Sequence, residues 1–111
     1  MSYIAITLDS DILEYPPEKF PELINEVKKS YNPEDYVSIK HESGWIMSLY
    51  SDGYLVFEDP EKKLGTSRYL SQPTDEKVLE LWQLLALGHF KELDRISWLD
   101  GNPVYGEDLN N

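Results

Sequence analysis

The sequence predicts an α+β domain: a mainly antiparallel sheet of about five to six strands with two helices packed on one face. Apolar residues alternate with polar ones in the first eight positions and again over 36–58, the period of half-buried strands. Two other stretches, 20–31 and 75–89, space them at helical intervals. Between two alternating runs stands Ser51-Asp52-Gly53, and Asp-Gly supplies the positive φ of a tight hairpin turn.

The elements follow in order. Ile4, Ile6 and Leu8 alternate with Tyr3, Ala5 and Thr7 as a first strand, which Asp9-Ser10-Asp11 is expected to end. Pro16-Pro17 forbids both a regular ladder and a helix interior. A helix starts between Glu18 and Pro21, with Pro21 in the first turn, where its missing N–H costs nothing. Phe20, Leu23, Ile24, Val27 and Tyr31 form its apolar stripe, and Asn32-Pro33 closes it. Strands are expected over 36–41, 45–50, 54–58 and 66–70, as a meander. Thr74 is the N-cap candidate of a second helix, followed by Asp75 and Glu76, where the helix dipole favours acids. Val78, Leu81, Trp82, Leu85 and His89 make its stripe, and Gly88 is expected to end it in a left-handed cap. Ile96 and Trp98 then read as a short last strand stopped by Asp100-Gly101.

Length allows one domain. Residues 1–105 are expected to form it, with 106–111 a frayed acidic tail. The chain of 111 residues carries a net charge of −11 and no cysteine. Disulfides, thiolate nucleophiles and cysteine-bound zinc are thereby excluded. The first residues lack a basic stretch followed by an apolar one, and no apolar run is long enough to span a bilayer, so a cytoplasmic location is expected. Nucleic-acid binding is disfavoured, because its affinity rests on lysines and arginines neutralising phosphates. A cationic protein partner is favoured by long-range attraction.

Candidate chemistry is sparse. His41 and His89 are isolated, without the spacing of a metal or acid–base motif. Asp9 and Asp11 resemble a metal-binding carboxylate pair, but no glycine-rich phosphate loop accompanies them, and a solvated strand end explains them as well. The serines beside Gly44, Gly53 and Gly65 belong to turns and not to nucleophile elbows. No catalysis, cofactor or metal is expected. Acids gather at Asp9, Asp11, Glu14 and Glu18; at Glu58, Asp59 and Glu61; and at Asp100, Glu107 and Asp108. Such a surface serves solubility or a partner, and composition does not choose between them. Tyr36, Tyr50, Tyr54 and Tyr69 fall on strands that could share one face; if it lies opposite the helices, it is an exposed aromatic patch.

The hairpin "SLYSDGYLVF", the helix "QPTDEKVLELWQLLALG" and the closing "LDRISW" resemble the deaminase-toxin immunity proteins of bacterial polymorphic toxin systems. The resemblance covers residues 45–98, about half the chain, and "HFKELD" replaces the proline usual before the last strand. It implies a non-catalytic antagonist that occludes a toxin domain, and no family site residue carries over. The partner-binding residues expected from charge and aromatic content are Tyr50, Tyr54, Trp98, Asp100, Tyr105, Glu107 and Asp108. The competing expectation is a small accessory subunit that self-associates through an exposed aromatic sheet face.

Overall fold

The computed structural model describes residues 3–59 and 67–101. The elements are β1 (Tyr3–Ile6), β2 (Asp11–Leu13), a 3-10 turn (Pro17–Lys19), α1 (Phe20–Lys28), β3 (Tyr36–His41), β4 (Ile46–Tyr50), β5 (Tyr54–Glu58), β6 (Arg68–Ser71), α2 (Asp75–Ala86), α3 (Phe90–Asp94) and β7 (Leu99–Asp100). The strands form one sheet in the order β2-β1-β3-β4-β5-β6-β7, every neighbouring pair antiparallel. This is an α+β fold. No described helix is long and apolar enough to cross a membrane.

Strand alternation sorts the side chains onto two faces. Ala5, Val37, Ile39, Met47, Leu49, Leu55 and Phe57 turn toward the helices and join the core. Phe20, Leu23, Ile24 and Val27 meet them from α1, and Val78, Leu81, Trp82 and Leu85 from α2. Each large side chain so buried contributes about 1.5–3 kcal/mol, so the two helices and the sheet stand or fall together. The Trp82 indole N–H donates to the Met47 carbonyl oxygen at 3.0 Å, tying α2 to β4.

The expected punctuation of α2 is present. The Thr74 hydroxyl accepts from the Lys77 amide at 3.1 Å, and Gly88 has φ +76°. The hairpin turn is as tight as Asp-Gly suggests. Gly53 has φ +102°, and a Cβ there would lie 2.1 Å from the Gln72 side-chain nitrogen. That nitrogen donates to the Asp52 carbonyl at 2.7 Å, fastening β6 to the turn.

The structure departs from the sequence expectation in four places. Asp9 and Ser10 follow the end of the first strand as expected, but the chain turns there into β2, a strand not expected, which begins at Asp11. The Thr7 hydroxyl accepts the amides of Asp9 and Ser10 at 3.1 and 2.9 Å, which closes a tight turn into β2. Tyr31 lies beyond the end of α1 and is fully exposed, because the helix stops at Lys28. Phe90 and Leu93, three residues apart, form one turn of α3 instead of a connector, and Leu93 is fully buried. The segment around Ile96 and Trp98 is bent, with the Trp98 amide donating to the Ile96 carbonyl at 2.8 Å. The last strand therefore comes later, at Leu99–Asp100. The sheet thus has seven strands and the described chain three helices, against the five to six and two expected.

Candidate functional site

The four strand tyrosines do share the face opposite the helices. Tyr36 and Tyr50 are direct cross-strand partners with ring centroids 5.1 Å apart, and Tyr54 and Tyr69 lie 5.8 Å apart, edge to face. The centre of that face is closed to solvent, however. Val56, Ser38 and Ser48 are buried, the two hydroxyls 2.6 Å apart, and Tyr50 is only 5% exposed. The exposed aromatic patch expected there reduces to Tyr36 at its margin, 39% exposed, with Tyr54 and Tyr69 half-buried.

Trp98 is a packing residue in its surroundings. Its ring lies 5.3 Å from that of Phe57, and its indole N–H donates to the Leu93 carbonyl at 2.8 Å, closing the core below α3. Asp100 is exposed on β7, opposite Arg68. Tyr105, Glu107 and Asp108 lie outside the described residues.

A different region combines exposure with charge. Residues 9–26 hold six acids (Asp9, Asp11, Glu14, Glu18, Glu22 and Glu26) and a single base, Lys19. The ion pairs between described residues, Lys28–Asp75, Arg68–Asp94 and Lys77–Glu80, draw on none of these acids. The fold brings four of them, Glu14, Glu18, Glu22 and Glu26, near Tyr3 and Tyr15, while Asp9 and Asp11 flank the β1–β2 turn at the other end of that hairpin. Glu14 adopts φ +54° just after β2, which turns the chain so that Tyr15 enters the core. The Tyr3 hydroxyl donates to the Tyr15 carbonyl oxygen, and Tyr15 stacks on Phe20 with centroids 6.4 Å apart. Those four acids lie near this aromatic knot. Burial, then the charges of Glu18 and Glu14, push the Tyr3 phenol above its ordinary pKa. Burial, then Glu22 and Glu26, do the same to Tyr15.

Beside Tyr3 lies an open groove of ≈ 410 Å³ walled by Tyr3, Pro17, Ala86 and Leu87, with Glu18 and Gln83 as its polar members. Leu87 is 57% exposed at its edge. An apolar wall next to the Glu18 carboxylate suits a side chain with an aliphatic stem and a cationic head, since lysine and arginine bury the stem and keep the charge at the rim. Sequence reading noted the early acids, but it missed the β1–β2 hairpin and the groove at Glu18. The available signal was Glu14-Tyr15-Pro16-Pro17, a rigid reversal after an apolar pair.

The tyrosine shifts make a testable statement about pH. A phenol whose pKa is raised on folding holds its proton in the folded chain where the unfolded chain has lost it, so stability falls as pH climbs past about 10. Tyr3→Phe should flatten that alkaline decline in denaturant melts at successive pH values, while lowering stability at neutral pH by about 1 kcal/mol for the lost hydrogen bond. An unchanged alkaline slope would place the titration elsewhere.

His41 Nδ1 accepts the Ser43 amide at 3.0 Å and lies 2.9 Å from the Ser43 hydroxyl, and its ring stands edge-on to Phe90 at 5.2 Å. His89, expected on the stripe of α2, lies beyond that helix, which ends at Ala86, and is exposed at the start of α3. Among the described residues, no group of three or more histidines and carboxylates is placed to hold a metal ion. Asp9 and Asp11 sit on either side of the β1–β2 turn. No protein family, characterised protein or solved structure matches this chain.

Proposed function

We propose that this chain is a non-catalytic antagonist of the immunity type, which binds a basic protein partner, a toxin enzyme domain, and occludes it. The observation that carries this reading is the acidic segment 9–26, six carboxylates against one lysine, with none of them engaged in the described ion pairs. Carboxylates outside the described ion pairs attract a cationic surface at long range and supply its contacts on arrival. A nucleic-acid-acting enzyme has such a surface, because it must neutralise phosphates itself. Covering that surface removes its activity without any chemistry by the antagonist.

Occlusion and catalysis differ in stoichiometry. Titrated against the toxin domain encoded by an adjacent gene, the protein should abolish activity at an equimolar end point. Replacing His41 and His89 together by glutamine should leave that end point unchanged, whereas a general acid or base is worth about 100- to 10,000-fold. Inactivation by a small fraction of an equivalent, lost in the double variant, would replace occlusion with catalysis.

A further inference from the structure

The acidic segment also contains the end of the sheet. β2 pairs only with β1, and all three of its residues are exposed. Its hydrogen-bonding parity follows from the flanking bonds, Thr7 amide to Ser10 carbonyl at 2.8 Å and Glu14 amide to Tyr3 carbonyl at 3.4 Å. Paired groups alternate along an antiparallel ladder, so Ile12 bonds to Ala5 while the N–H and C=O groups of Asp11 and Leu13 point away from β1. Exposed apolar side chains gather here as well. Of the seven large hydrophobic residues exposed among the described ones, Leu8, Ile12 and Leu13 fall within six positions, and Leu13 is 77% exposed.

We infer that β2 is a docking edge to which an extended segment of the cationic partner adds as a further strand of the sheet. Free backbone groups on an edge template strand addition, and side chains on alternate positions then set its specificity. Ile12, on the helix side, meets an apolar side chain of the added strand. Asp11, on the other side, meets a basic one, with Asp9 and Glu14 at either end of the edge. A second copy of this chain is the poorer occupant, because edge-to-edge pairing would set two such groups of carboxylates against each other. Acids on an edge also discourage aggregation, but that role alone gives no reason to expose Ile12 and Leu13 between them.

The inference rests on the cationic-partner reading, and the test separates the two. The probe is an alternating hexapeptide, Arg-Val-Arg-Val-Arg-Val, compared with the same peptide N-methylated at alternate amides, which keeps every charge and loses the ladder donors of one edge. Binding of the unmodified peptide to the full chain should slow amide hydrogen exchange at Asp11 and Leu13. Methylation should weaken binding about tenfold or more, the effect of two lost backbone hydrogen bonds. Leu13→Pro, which removes an outward N–H and no ladder bond of the fold, should weaken the unmodified peptide similarly while leaving the melting transition in place. Equal binding of both peptides with unchanged exchange at Asp11 and Leu13 would overturn strand addition and leave charge attraction standing. Failure of the unmodified peptide to bind at low salt would overturn strand addition too. So would protection of the same amides by the protein's own dimerisation in the absence of peptide.

Discussion

Trp82→Ala should lower stability by about 3–5 kcal/mol, the range for deleting a buried large aromatic side chain. Trp82 has no exposed surface and meets Phe20 edge to face at 5.9 Å. Its indole N–H reaches across the core to the Met47 carbonyl. One side chain therefore joins α1, α2 and β4, and truncation leaves a cavity at the point where all three meet. Domains of this size have about 5–15 kcal/mol of stability, so the variant should lie near its unfolding transition at room temperature. Trp82→Phe keeps most of the volume and loses the hydrogen bond, and it should cost clearly less. Denaturant melts read both. A loss below about 1 kcal/mol for the alanine variant would show that α2 does not hold the sheet through this residue.

Phe57→Ala should be of similar size, about 3–5 kcal/mol, for a different reason. Phe57 is 1% exposed and stands between Trp45, at 4.7 Å, and Trp98, at 5.3 Å. The Arg68 guanidinium lies over its ring at 5.0 Å and over Trp45 at 5.5 Å, and reaches Asp94 of α3 at 3.2 Å. This cluster joins β4, β5 and β6 to the segment from α3 to β7. Its loss should expose two tryptophans, so the native-state fluorescence should shift to longer wavelength. An unshifted spectrum with a full loss of stability would mean that Trp45 and Trp98 keep their packing without Phe57.

The parts of the fold legible in the sequence are those where local pattern and tertiary packing agree. The stripe of α2, its Thr74 cap and its Gly88 stop, and the hairpin at Asp52-Gly53 all follow from side-chain spacing and backbone freedom at single residues. β2 was not legible, because three residues are too few to show an alternation and two aspartates before Ile12 read as a turn. α3 was hidden for a similar reason: Phe90 and Leu93 give a single helical interval. The tyrosine face was legible from strand parity, but its closure was not, since periodicity assigns a side chain to a face and says nothing of what covers it. Trp98 shows the same limit. An aromatic residue beside an acidic turn reads as an interface anchor, yet its indole N–H is engaged by Leu93 and its ring packs against Phe57. The acidic segment was half legible. Its charges were visible one by one, and only the turn at Glu14 brings Glu14, Glu18, Glu22 and Glu26 near Tyr3 and Tyr15, with Glu18 at the groove.

The proposed function turns on recruitment of a basic partner by the carboxylates of residues 9–26. Its most direct measurement is the association rate with that partner, followed by stopped flow between about 0.01 and 0.15 M salt, where the Debye length falls from about 30 to about 8 Å. The rate should drop at least about tenfold across that range, as for steered association. Changing Glu14, Glu18 and Glu22 together to glutamine should remove most of the dependence while leaving the fold intact. A rate that stays flat with salt in the unmodified protein, or a salt dependence that survives the triple change in full, would contradict the account.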